Sequence, residues 1–377
     1  MDRASLEKIF ADFKPSRKES SNKQYALRLS KVSEDFNKDN PELNDDYLND
    51  PEKVFDYLQN KKGRNDTPLP KSTHANILYS MIEYLDAKGK TELSEKYRKR
   101  KEQIDEAIFE QYNSGALSDN QKHQFIPLKE LIEMITKLDD IIVCDSFHSD
   151  YNDPWTRHEM WNAQLLFHLY LNYPSRNEYG TLKFLKWNNY RKMRREATIA
   201  RKKVLDDNYV VMKYDGTMLL SISQYKTADK YGIKETVITD PFVRKLLKER
   251  YSSHGETNLF VLPKTKTPWK RHTVSQVLTR WSKELCGKSI SSTMIYKIII
   301  HELSLTHKKE IHDENFVKAE EVAEILKKFA SIRGHSKMIQ KKCYSVKKEE
   351  LPEPPPPKEE VVLKKSNKIL PAYIVKD

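Results

Sequence analysis

Residues 209–222 constrain the fold more than any other stretch. Tyr209-Val210-Val211-Met212-Lys213-Tyr214 and Thr217-Met218-Leu219-Leu220-Ser221-Ile222 flank Asp215-Gly216. β-Branched, aromatic and aliphatic residues favour extended chain, and Asp-Gly suits a two-residue primed turn, so the segment reads as an antiparallel hairpin. Glu235-Thr236-Val237-Ile238 supplies a third short strand. Most of the remaining chain repeats its apolar residues at helical spacing. Asn49-Asp50-Pro51 opens one helix, with Val54, Tyr57 and Leu58 on its stripe. Ile77, Leu78, Met81, Ile82 and Leu85 mark a second, residues 92–111 a third that is highly charged, and Leu128, Leu131, Ile132 and Ile135 a fourth after Pro127. Further helices are expected at 161–173, 242–251, 274–285, 291–302 and 317–330. A small antiparallel three-stranded sheet among many helices defines an α+β, mostly helical chain.

The chain has 377 residues, which suits two domains and a tail. Residues 1–49 are polar with little periodicity and read as an N-terminal arm. Residues 50–120 form an all-helical module that ends in a polar linker at 113–120. Residues 121–346 carry the hairpin and form the second domain. Residues 347–377 are rich in Pro and charge, a composition that favours an extended or disordered linker. Ile369-Leu370-Pro371-Ala372-Tyr373-Ile374-Val375 beyond it is apolar enough to dock on a protein surface.

The formal net charge is +12. The tail holds seven Lys and six acidic residues, so nearly all of the excess belongs to the body. A body this basic attracts phosphate backbones, although a lysine-rich solvated surface has the same composition. Three scattered cysteines, Cys144, Cys286 and Cys343, make neither a disulfide framework nor a zinc spacing. No apolar signal core opens the sequence, and no apolar run reaches the roughly 18 residues of a membrane helix. These features predict an intracellular protein with no membrane partner.

The chemistry concentrates at Arg333-Gly334-His335-Ser336 and Tyr344. An amphipathic segment ends at a glycine, and a histidine stands nine residues before a tyrosine (344 − 335). One reading is a helix C-cap at Gly334 followed by a packed tyrosine. The other is catalytic. Cleaving a phosphodiester without metal needs a nucleophile, cations on the phosphoryl oxygens, and an acid for the departing 5′ oxygen.

Gly334-His335-Ser336 followed by Gln340 and Tyr344 resembles the last motif of the tyrosine recombinases, or phage integrases. The resemblance implies a helical DNA-clamp domain plus a catalytic domain at 121–346, closed around duplex DNA. It implies Tyr344 as the nucleophile that forms a 3′-phosphotyrosine, with His335 donating a hydrogen bond to the phosphate. Arg176, in the Leu171-Asn172-Tyr173-Pro174-Ser175-Arg176 turn, matches the family's first arginine and would bind a non-bridging oxygen through its planar fork. Lys226, directly after the hairpin, matches the lysine general acid, with Lys230 as a substitute. The family's second arginine is missing: Thr293 falls on its histidine position and Tyr296 on its arginine position. Either Lys297 or Arg333 then substitutes for it, or the correspondence is shifted, or cleavage is weakened. The resemblance further implies site-specific recombination of viral or mobile-element DNA by a homo-tetramer, with double-stranded DNA as partner and no cofactor or metal. A catalytically impaired DNA-binding descendant, or a type IB topoisomerase-like or resolvase enzyme, shares the same motifs. His301, His307 and His312 share no helix face, and residues 307–312 read as a polar loop, so no metal site is expected.

Overall fold

A computed structural model describes residues 2–38, 44–63, 66, 68–114, 117–143, 154–262 and 264–334. His335, Tyr344 and the tail at 347–377 lie outside the described residues. The chain divides into two compact units, Met1–Ser114 and Gly115–Asp377.

The first unit begins earlier than its sequence suggests. Asp2 caps α1 (Arg3–Phe13) by accepting from the Ala4 and Ser5 amides at 2.9 and 3.0 Å. Helix α2 (Glu19–Phe36) follows. Residues 1–49 are therefore not an arm. Their apolar stripe is narrow, with Leu6 and Phe10 on α1 and Ala26, Leu29 and Val32 on α2, and it is diluted by polar neighbours. It suffices because these side chains share one core with α3 (Pro51–Asn60), α4 (Lys71–Ala87) and α5 (Thr91–Ser114). Asp50 and Pro51 open α3 as expected, with Asp50 accepting from the Lys53 amide. Glu83, buried on α4, is held by ion pairs to Lys14 and Arg17.

The second unit is built around α8 (Pro154–Asn172), which is buried from Asn162 through Asn172 and so reads as a central core helix over that length. Short α6 (Asp119–Gln124) and α7 (Leu128–Val143) precede it. After α8 the chain makes a 3-10 turn, Asn177–Thr181, then β1 (Leu182–Lys186), α9 (Trp187–Ile199), β2 (Asn208–Met212), β3 (Met218–Ile222), the single turn α10 (Ala228–Tyr231) and β4 (Lys234–Ile238). Helices α11 (Pro241–His254), α12 (Arg271–Cys286), α13 (Ser292–His312) and α14 (Phe316–Arg333) complete it.

The sheet has four strands in the order β1-β2-β3-β4, rather than three. β2, β3 and β4 are the expected antiparallel strands, whereas β1 pairs parallel to β2. A parallel neighbour needs a crossover, and α9 provides it. The hairpin turn also differs from the expected primed form. Gly216 accepts a left-handed φ of 78°, but Asp215 does not share it. The Gly216 amide bonds Lys213 O at 3.2 Å and the Lys213 amide bonds Thr217 O at 2.9 Å, which makes a three-residue loop with a glycine bulge. Residues 307–312 are not a loop; they are the last turns of α13, where buried Glu310 pairs with Lys318 of α14 at 3.3 Å.

Period-two alternation sorts the sheet's side chains onto two faces. Phe184, Val210, Leu220, Ile222 and Ile238 enter the main core with α8, α12 and α13. Tyr209, Val211 and Leu219 point the other way and pack with Tyr190 and Ala197 of α9. Among the described residues no helix is long and apolar enough to cross a membrane.

Candidate functional site

Arg176 sits in a turn that is fixed on every side. The Tyr170 hydroxyl donates to Arg176 O at 2.5 Å, and Ser175 Oγ donates to Glu178 Oε2 at 2.9 Å inside the core. The Asn177 side chain accepts from Ser292 Oγ at 2.6 Å and donates to Ser275 Oγ at 3.0 Å. Gly180 lets the turn approach α12: a Cβ there would lie 2.8 Å from Val274 Cγ2 and 3.0 Å from Lys270 O. The half-buried Arg176 side chain thus projects from a backbone with little freedom.

The end of α14 is tied to the same turn. Arg333 is only 4% exposed; its Nη1 donates to Ser175 O at 2.5 Å and its Nη2 to Thr293 Oγ1 at 3.1 Å. Its guanidinium lies over the fully buried Tyr296 ring, 4.5 Å from the centroid. The two positions where sequence reasoning found no histidine and no arginine, Thr293 and Tyr296, therefore both receive one guanidinium from another helix. Gly334 then caps α14 in the left-handed conformation, φ 74°, as the sequence suggests. The tie joins residues far apart in the chain and places the entrance to the Gly334-His335 motif against the Pro174-Ser175-Arg176 turn.

A lysine that sequence reasoning missed completes this corner. Lys234 opens β4, and a Cβ on Gly334 would run into its Nζ and lie 3.7 Å from Thr227 Oγ1. The ammonium also lies 3.9 Å from the Tyr225 ring centroid. Burial pulls Lys234 down to about 8 from its ordinary value; the Glu178 carboxylate opposes the fall and the Arg176 guanidinium adds to it. That influence places Arg176 and Glu178 in the electrostatic neighbourhood of the Lys234 ammonium. The available signal was strand parity: Lys234, Thr236 and buried Ile238 share one face of β4.

Lys226 and Lys230 are exposed on the loop between β3 and β4, and Lys226 stands between Tyr225 and Thr227, which both lie against the corner. Lys297 is buried, 6% exposed, and its Nζ donates to Gln121 Oε1 at 3.1 Å. It stands one position, or about 100° of helix, beyond Tyr296. It ties α13 to the capping box of α6 rather than joining Arg176 and Arg333. Among the described residues no three His, Cys, Asp or Glu side chains cluster as metal ligands.

The corner can bind and neutralise a phosphate through Arg176. It can also supply a proton from an ammonium already softened toward neutral pH. No protein-family model, no curated protein and no solved structure matches the chain.

Proposed function

We propose that the chain breaks and rejoins DNA strands through Tyr344, as a site-specific recombinase of the tyrosine type. The reading is supported above all by the Arg333–Ser175 tie. It brings the Arg176 turn and the end of α14 together across the unit, with Lys234 against Gly334 and within the electrostatic reach of Arg176. In the proposed step, Tyr344 Oη attacks phosphorus and its proton passes to water. The P–O5′ bond breaks, and the 5′ oxygen takes a proton from the Lys234 ammonium. Arg176 and His335 hold the non-bridging oxygens as charge builds on them. Attack by a 5′ hydroxyl on the phosphotyrosine reverses the step and reseals a strand. Exchange between four protomers on two duplexes then yields recombination.

The test is a nicked duplex that loses its short 5′ fragment on cleavage, so that resealing cannot occur. The wild-type chain should accumulate a covalent protein–DNA adduct and Tyr344→Phe none. A wild type that binds the duplex but never forms the adduct overturns the catalytic reading.

One observation favours a second reading, a DNA-binding protein with impaired cleavage. The Arg333 guanidinium directs its donors to Ser175 and Thr293 inside the core, so it is engaged away from any phosphate that Arg176 would hold. Binding without adduct is the result that selects it.

A further inference from the structure

The corner faces one side of the sheet; α9 covers the other. On α9 the residues turned toward the sheet are Tyr190 and Ala197, which are buried. Arg191, Lys192 and Arg195 are exposed on the outward face, and Glu196 is the helix's sole acidic residue. Arg194, also exposed, differs from them in pairing with Glu235 of β4 at 3.6 Å. Arg191, Lys192, Arg195, Arg201 and Lys203 pair with no carboxylate among the described residues, whereas Lys202 reaches Asp206 at 3.8 Å. Cations of this outward face without a counter-ion among the described residues are available to neutralise an anionic partner.

The end of α9 carries a further exposed cation in a defined backbone position. The Lys202 amide bonds Ala197 O at 2.8 Å and the Arg201 amide bonds Thr198 O at 3.1 Å, closing the helix in a Schellman motif. The left-handed position of that motif, where glycine is free of strain, holds Arg201 at φ 52°. An exposed guanidinium therefore stands at a position where glycine would be free of strain.

This cap abuts the loop between β3 and β4. A Cβ on Gly232 would lie 3.4 Å from Lys203 O, the Gln224 amide group bonds Leu205 O, and Arg271 bonds Gln224 O. Exposed cations thus continue from Arg191 and Arg195 through Arg201 and Lys203 to Lys226 and Lys230, on the loop that leads into Lys234. We propose that this track binds the phosphate backbone of duplex DNA flanking the site at which the corner acts. The inference rests on the proposed function for its partner, but not for the chemistry at Tyr344.

The experiment is equilibrium binding of a duplex to the full chain across a salt series. It compares wild type, Arg191→Gln/Lys192→Gln/Arg195→Gln/Arg201→Gly, and Arg201→Gly alone. Each phosphate left without its cation should lower the slope of log K against log salt by about 0.9, so the quadruple variant should lose about 3 to 4. Arg201→Gly alone should bind more weakly than wild type while melting at a higher temperature, because strain leaves with the charge. An unchanged slope in the quadruple variant overturns the proposal, and so does a wild type that binds no duplex. So too would loss of binding to phosphatidylserine vesicles with DNA binding intact, which would assign the track to a membrane surface. If the variant loses slope but wild type forms no Tyr344 adduct, the track stands and the catalytic reading falls.

Discussion

The two faces of the four-stranded sheet use positive charge in opposite ways. On the core face, Lys234 is half-buried and Arg176 rises from an immobilised turn, while Arg333 is locked on Ser175, Thr293 and Tyr296. On the α9 face, Arg191, Lys192, Arg195 and Arg201 are solvated and pair with no carboxylate among the described residues. A desolvated cation has an altered protonation equilibrium and a fixed position, so it can do chemistry. A solvated cation keeps its charge and its freedom, so it can only neutralise. Number belongs to one face and tuning to the other.

The contrast is tested most severely at Lys234. At saturating DNA, Lys234→Ala should slow adduct formation by about 10² to 10⁴-fold, the usual contribution of a positioned acid, whereas Lys226→Ala, on the proposed DNA track, should weaken binding and change that saturated rate little. A substrate with sulfur in place of the bridging 5′ oxygen leaves as a thiolate and needs no proton, so it should restore most of the rate to Lys234→Ala. A rate that stays low with sulfur would make Lys234 a structural residue. The pH profile gives a second test. The protonated ammonium is the active form, so the rate at subsaturating DNA should fall as pH rises through about 8, and Lys234→Ala should lack that limb.

The middle of the scale belongs to the Arg333 tie. Tyr296→Arg sets a second guanidinium where the ring now lies 4.5 Å from the first, in a fully buried position. It should destabilise the second unit by about 3 to 5 kcal/mol rather than accelerate cleavage. Arg333→Ala leaves Ser175 O without its donor and opens a cavity, which should cost about 2 to 3 kcal/mol. All five tryptophans, Trp155, Trp161, Trp187, Trp269 and Trp281, lie in the second unit, so fluorescence during urea unfolding follows that unit alone. Faster adduct formation by Tyr296→Arg would mean that Arg333 does not fill the place of the missing arginine.

What the sequence shows depends on whether a residue's role is local. The hairpin, the third strand, the Pro51 helix start and the Gly334 cap each follow from neighbours a few positions away, and each is present. β1 was illegible because Leu-Lys-Phe-Leu-Lys becomes a strand only through a parallel partner beyond α9. Helices α1 and α2 were illegible because their few apolar residues count only once α4 covers them. The site divides in the same way. Arg176 could be picked out by its turn, but Lys234 is singled out by Gly334 folding onto it from a distant helix. Lys297 looked adjacent to the missing arginine along the chain, yet one step round a helix sends it to Gln121 instead.

The smallest effects should come from α9, and their smallness is the point. Arg191→Gln and Arg195→Gln remove exposed charges that pair with no carboxylate among the described residues, so each should alter stability by less than about 0.5 kcal/mol. Arg201→Gly should raise it by about 0.5 to 1 kcal/mol, since glycine adopts the left-handed φ of 52° without a Cβ clash. These values are to be read from the same urea titrations as Arg333→Ala. A loss of about 1 kcal/mol or more at Arg191 or Arg195 would show that those guanidinium groups hold the fold together. The two faces would then no longer differ in kind. Stability unchanged or improved, beside the losses expected at Arg333 and Tyr296, would mean that the fold does not need the charge on α9, and the salt dependence of duplex binding then decides whether a partner does.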